Sequence, residues 1–410
     1  VNPASLSLYF LLMLPPADGS PVPQQPDGAR EERAAQDQNW VERQRAKIEW
    51  LTDRGIYPKV ETIVSGSGLA FGVELRKEQL FGRLGASFET MWSIRGYRAN
   101  DVKIGAIHGA TERVELRPAD NLLTSTFEFE TDARPGTSVY VHARHRVYPR
   151  IDFFGLNQTS TRARRSDFSL TGPSVDVVLQ WQPTPELGFG ARAGVLSLEI
   201  DRGSNDRVPD LQDSFTAIEA PGIGRRNPYI TIGAGGVLDR RWPADLPTQG
   251  GSLAVAVWRF EPIETGTSAF TRYVVDGRQL FELAGPNHVL ALAAVTSLTH
   301  ADGEPAPFHL QSTLGGSRTL RGLGSYRLRG PFILHGASEY RWRVHRRIEL
   351  AGFVDAGSAS RSVRTIAGDT VVITPGAGIR VLSRTKRIAR LDWGWGPDGH
   401  RFVITVDGPY

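Results

Sequence analysis

The sequence contains no cysteine and only two methionines in 410 residues. Without thiols there is no disulfide framework, no thiolate metal site and no cysteine nucleophile. Long apolar runs are missing too. After residue 14 no segment approaches the roughly 20 apolar residues that a membrane helix needs. Catalytic signatures are equally scarce, with no H-E-x-x-H, no Walker phosphate loop and no G-x-S-x-G. Ser67 stands in a Ser-Gly-Ser-Gly run that lacks nucleophile-elbow spacing, and the 9 histidines are scattered. An outer-membrane hydrolase with a Ser/His pair on strands is the enzyme alternative, but no enzyme activity, cofactor or metal is expected. The 48 Lys+Arg are offset by 44 Asp+Glu. These charges are spread through alternating segments, with no basic helix, zinc-finger spacing or RNA-binding aromatic motif, so nucleic acid is not an expected partner.

What is present is alternation. Phe332, Leu334, Tyr340, Trp342 and Val344 fall on one face of a strand, with His335, Glu339, Arg341 and Arg343 on the other. Ile348, Leu350 and Val354 oppose Arg347, Glu349 and Asp355, and Leu391, Trp393 and Trp395 oppose Arg390 and Asp392. Phe402, Ile404, Val406 and Tyr410 oppose Arg401, Thr405 and Asp407. Successive side chains of a strand point to opposite faces, so one face is fatty and the other ionic. A basic side chain facing lipid at the midplane costs about 2–4 kcal/mol, so the ionic face is expected to line a lumen. A soluble sandwich would have to bury these charges between its sheets.

From Gly68 onward the chain divides into sixteen alternating segments bounded by Gly, Pro, Asn or Asp. They lie near 68–77, 81–95, 101–110, 120–131, 137–149, 168–182, 185–200 and 227–238. The rest are near 250–262, 267–282, 287–299, 331–344, 347–360, 373–384, 387–397 and 400–410. The even count and rough alternation of short and long connections predict an all-β, sixteen-stranded antiparallel transmembrane barrel. Hydrocarbon cannot solvate a sheet edge, which favours closure.

Before the barrel, Ser5–Leu14 reads as the apolar core of a secretory signal within residues 1–17, with a buried strand as the other reading. Residues 18–36 have the composition of a disordered spacer. Residues 37–55 predict a short periplasmic helix at the barrel mouth, stopped by Gly55, with a helical plug as its alternative.

Several motifs occur in a fixed order: Gly315-Gly316-Ser-Arg-Thr-Leu-Arg321-Gly322-Leu323, then Glu339, then Phe353-Val-Asp355-Ala-Gly357. Phe153-Phe-Gly-Leu, Asp239-Arg-Arg with Pro247-Thr-Gln-Gly250, and the terminal aromatic Tyr410 accompany them. Together they resemble the BamA/TamA superfamily of outer-membrane barrels, the bacterial surface-antigen family, over roughly residues 56–410. That resemblance implies a sixth external loop folded inward behind an Arg-Gly tip. It also implies a role in insertion, assembly or translocation of protein or lipid at the bacterial outer membrane. Two departures stand out. Leu323 replaces the usual aromatic residue, so the tip is expected to lose its aromatic packing contact. About 55 residues precede the barrel, so no POTRA domain is expected within this sequence.

The planar Arg321 guanidinium suits bidentate pairing with carboxylates, and strand parity puts Glu339 and Asp355 on the lumen wall. Arg321 and Gly322 are therefore the expected loop-lumen clamp, with Gly315, Gly316, Phe353 and Gly357 as supporting motif positions. Arg341, Arg343, Arg380, Arg390, Asp392 and Glu349 either line a conductive path or fill the wall as mutually paired ions. A seam is expected between 68–77 and 400–410, carried by Gly68, Gly72, Pro409 and Tyr410, because glycine packs weakly and proline donates no ladder bond. Ordinary glycine kinks for barrel curvature are the alternative. Expected partners are outer-membrane lipid, lipopolysaccharide and a periplasmic protein. A passive or structural pore is the alternative function.

Overall fold

Alternation of apolar and ionic residues is realised as a barrel whose two faces differ sharply. The computed structural model describes residues 50–81, 84–106, 116–119, 124–127, 135–224, 226, 228–243, 245–264, 267–365, 370–383 and 387–406. Sixteen antiparallel strands form the wall. The first four are β1 (Ile56–Glu61), β2 (Ala70–Phe81), β3 (Leu84–Ser93) and β4 (Arg98–Ala106). Next come β5 (Gly136–Phe153), β6 (Ser166–Thr184), β7 (Leu187–Leu196) and β8 (Tyr229–Asp239). They are followed by β9 (Gly250–Pro262), β10 (Phe270–Glu282), β11 (His288–Ala301) and β12 (Phe332–His345). The last are β13 (Ile348–Ser360), β14 (Val372–Leu382), β15 (Arg387–Gly396) and β16 (Gly399–Val406).

Each strand pairs antiparallel with the next in sequence, from β1–β2 to β15–β16. β1 and β16 lie beside each other, yet among the described residues no ladder joins them. The barrel is nearly closed, with one seam. Above the wall a short strand, Glu199–Arg202, extends the sheet by pairing with Phe168–Thr171 of β6.

Burial follows parity. On β6, Val175, Val177, Leu179 and Trp181 are exposed, while Ser174, Asp176, Gln180 and Gln182 are buried. On β13, Ile348, Leu350 and Val354 face outward and Glu349 and Asp355 inward. Such an apolar exterior suits lipid, and the polar interior is lined by paired charges. Lys59 bridges Glu74 and Glu89, Asp101 holds His142 and Arg146, and Asp176 holds Arg144 and Arg192. At one end of the barrel, residues 154–165, 197–224 and 302–331 pack over the mouth. Phe153, Phe168, Phe215 and Phe308 form an aromatic core there, with edge-to-face ring separations of 4.7–5.1 Å.

Three expectations need correction. The first strand is Ile56–Glu61, so the segment at 68–77 becomes the second strand rather than the seam strand. Gly72 sits between two ladders, opposite Lys59 on one side and Met91 on the other. Gly68 lies in the preceding connection with φ +73°. Pro409 and Tyr410 lie outside the described residues. Second, the segment at 120–131 is not a barrel strand. Its described part, Thr124–Phe127, pairs only with Leu116–Ala119 in a separate two-stranded sheet. Alternation marks any strand with two unlike faces and does not by itself indicate a membrane crossing. Third, β5 and β6 are several residues longer than the segments at 137–149 and 168–182. Of the helix expected at 37–55, Trp50–Thr52 is helical and turns through Gly55. Residues 1–49, which hold the signal and spacer expectations, lie outside the described residues.

Candidate functional site: the loop inside the lumen

The connection 302–331, between β11 and β12, is the sixth at its end of the barrel. Its tip turns on two consecutive glycines, Gly315 (φ +109°) and Gly316 (φ +105°), a conformation that side chains with a Cβ rarely adopt. The turn is closed when Gly315 N donates to Thr319 Oγ1 and Gly316 N to Leu323 O. Leu314, Leu320 and Leu323 pack with Ile333 and Ala359 in a small buried core. Leu323 thus anchors the tip through aliphatic contacts where the resemblance suggested a lost aromatic one. Gly357 lies beneath this core, and a Cβ there would come within 3.0 Å of Leu314 Cδ1.

With its base fixed, the tip directs Arg321 at the lumen wall. Asp355 accepts from the Arg321 backbone N at 3.1 Å, from Nε at 2.9 Å and from Nη2 at 2.7 Å. Nη1 donates to Glu339 Oε2 at 2.5 Å. Phe353, one turn of the pleat below Asp355, places its ring 3.4 Å from the guanidinium carbon. A cation over an aromatic face gains further attraction when shielded from water. Gly322 lets the tip lie directly on β15, because a Cβ there would sit 2.3 Å from the Trp395 carbonyl oxygen. Each motif residue at the clamp therefore has a physical task.

The contacts extend well beyond one pair. Glu339 also accepts from Arg341 at 2.7 Å and from Arg380 at 2.9 Å. Arg380 donates to Asp392 at 2.5 Å, and Arg390 lies 3.2 Å from the same carboxylate. Four guanidiniums therefore share three carboxylates, with Glu339 touching three of the four. Arg390 also donates to the Ser317 carbonyl, tying β15 to the loop. Of the other inward charges, Glu349 pairs with Arg387 at 3.1 Å. Arg343 stands apart from the cluster, and its backbone N donates to Asn287 O.

Several contacts at this site carry no local signal in the sequence. Ser65 and Ser325, 260 residues apart, meet through their hydroxyls at 2.9 Å. Arg327 donates to Asp398 at 2.6 Å, and Arg401 donates to the Leu323 carbonyl at 2.7 Å. Nothing about an isolated serine indicates such a partner; only the folded loop brings these residues together.

Comparison with known proteins agrees with this architecture. A profile of the Omp85 superfamily domain matches residues 133–398. No curated protein matches the chain. Among solved structures, BamA from Haemophilus ducreyi lacking POTRA domains 1–3 superposes with a TM-score of 0.60 at 12% identity, over 85% of this chain and 68% of that one. CdiB from Escherichia coli superposes with a TM-score of 0.51 at 12% identity, over 85% of this chain and 61% of that one. The chain thus spans about three-fifths of the length of the CdiB structure. At such low identity these likenesses speak for the fold, while the profile covers well over half of the sequence. The chain belongs to the Omp85 superfamily and is a bacterial outer-membrane β-barrel.

Proposed function

We propose that this barrel assists insertion, assembly or translocation of protein or lipid at the outer membrane, acting without catalysis. The observation that carries this reading is the pairing of a clamped internal loop with a seam that has no ladder among the described residues. An open pore would have little use for a loop held by Arg321 against Asp355 and Glu339. A purely structural barrel would be expected to continue its ladder from β16 to β1. The loop would hold the lumen shut, and the seam would offer substrate a sideways route toward lipid. Outer-membrane lipid and lipopolysaccharide would surround the barrel, and a periplasmic protein would deliver substrate.

The test is a folding assay in vesicles. An unfolded outer-membrane barrel protein is diluted into vesicles that contain this barrel, and its folding is followed by heat-modifiable gel mobility. Faster folding than in empty vesicles supports the proposal, and a disulfide across β1 and β16 should abolish the gain. Folding no faster than in empty vesicles would leave the passive or structural barrel as the better reading.

A further inference from the structure

β1 and β16 are adjacent but share no ladder among the described residues. The inward loop supplies contacts at the upper end of this joint. In the connection that follows β1, Ser65 Oγ lies 2.9 Å from Ser325 Oγ, and both side chains are buried. On β16, Arg401 Nη1 donates to the Leu323 carbonyl at 2.7 Å, and Nη2 reaches Ser325 Oγ at 3.4 Å. Two residues of the loop, Leu323 and Ser325, therefore touch the chain beside the seam, and Ser325 reaches both sides of it.

The surroundings of this contact are built to fit. A Cβ at Gly316 would lie 2.2 Å from Ser65 Oγ, so the second glycine of the tip makes room for that hydroxyl. Arg95 donates to Gly66 O at 2.9 Å, steadying the β1–β2 connection from the β3–β4 side. Arg327 donates to Asp398 at 2.6 Å, fixing the β15–β16 turn. Each flank of the seam is thus held to a neighbouring connection.

We infer that Ser65, Ser325 and Arg401 form a tie across the seam, positioning β1 against β16 where the described residues share no ladder. The tie begins two residues after Arg321. A substrate or partner that pulls the loop off Asp355 would therefore slacken the seam in the same movement, coupling the state of the lumen to lateral opening. The coupling rests on the proposed role of the seam, whereas the tie itself rests on geometry alone.

Hydrogen exchange of the refolded barrel tests the tie independently of substrate. Edge strands fray locally, and whatever restrains them slows exchange of their amides. In Ser325→Ala, amides of residues 56–61 and 399–406 should exchange about five- to tenfold faster, the change expected on losing one or two hydrogen bonds. Amides of β8–β11 should be unchanged. The pair S65C/S325C would contain the only cysteines of the sequence. Its oxidised form should exchange more slowly at the seam than its reduced form. Seam exchange that is unmoved by both Ser325→Ala and oxidation of the cysteine pair would overturn the tie. A tie that passes this test in a barrel that fails the vesicle folding assay would overturn only the proposed function.

Discussion

Arg321 and Asp355 are joined by three hydrogen bonds, one from the backbone N and two from the guanidinium. The carboxylate therefore fixes both the direction of the loop and the rotamer of the side chain that clamps it. Breaking a buried pair by removing one partner typically costs about 3–5 kcal/mol, because the remaining charge is left without compensation. Here the cost depends on which partner goes.

Removing Arg321 leaves three guanidiniums for three carboxylates, and Asp355, which loses its hydrogen-bond donors, is opened to lumen water as the loop leaves. Arg321→Ala should release the loop, seen as new protease cleavage within residues 315–327, with a modest loss of barrel stability. Glu339→Gln removes the group shared by three arginines. It should cost the barrel more, toward the upper part of the range of about 3–5 kcal/mol less a discount for lumen water. Denaturant unfolding of the two variants checks this order. Equal losses would mean that the network does not centre on Glu339.

Gly322→Ala should displace the loop as Arg321→Ala does, because the new methyl would meet the Trp395 carbonyl at 2.3 Å. Gly352→Ala is the matched control, since nothing lies within 4 Å of its Cβ position. It should shift stability by no more than about 0.5 kcal/mol. Limited proteolysis of the loop separates the two outcomes.

Loop residue His309 introduces a pH dependence. Burial, reinforced by the nearby Arg329 guanidinium, pushes its pKa down to about 3 from the ordinary 6.5. The folded state therefore binds fewer protons than the unfolded state between those values. The stability of the neutral form is fully present above about pH 6.5 and is lost as pH falls toward 3, by up to about 1.4 kcal/mol per pH unit. His309→Phe should flatten the unfolding free energy over this window relative to the native chain. An identical slope in both proteins would show that His309 does not set it.

The lipid-facing wall can be probed at Val255, exposed in the middle of β9 between neighbours that alternate inward. Val255→Arg should destabilise the barrel by about 2–4 kcal/mol in a bilayer if this position lies near the midplane. In detergent micelles, where water reaches the side chain more easily, the penalty should shrink. A similar loss in both media would point to a packing defect instead.

Much of this site was legible because strand parity is unforgiving. Once Leu350 and Val354 are assigned to lipid, Glu349 and Asp355 must face the lumen, and the Arg-Gly tip supplies the cation. The true first strand was hidden by Pro58, which removes a ladder donor and makes Ile56–Glu61 read as a connection. In the fold this is tolerated because, among the described residues, β1 is an edge strand laddered only to β2. Moving the first strand to β1 moved the seam with it. The Ser65–Ser325 contact was illegible for another reason, since it depends on where a long loop comes to rest inside the barrel.

The most direct test of the clamped loop is single-channel conductance in planar bilayers, comparing the native barrel with Arg321→Ala. A small, flickering conductance that enlarges in the variant is the expected result. A large, steady pore that the substitution leaves unchanged would contradict a lumen plugged by the loop at Arg321.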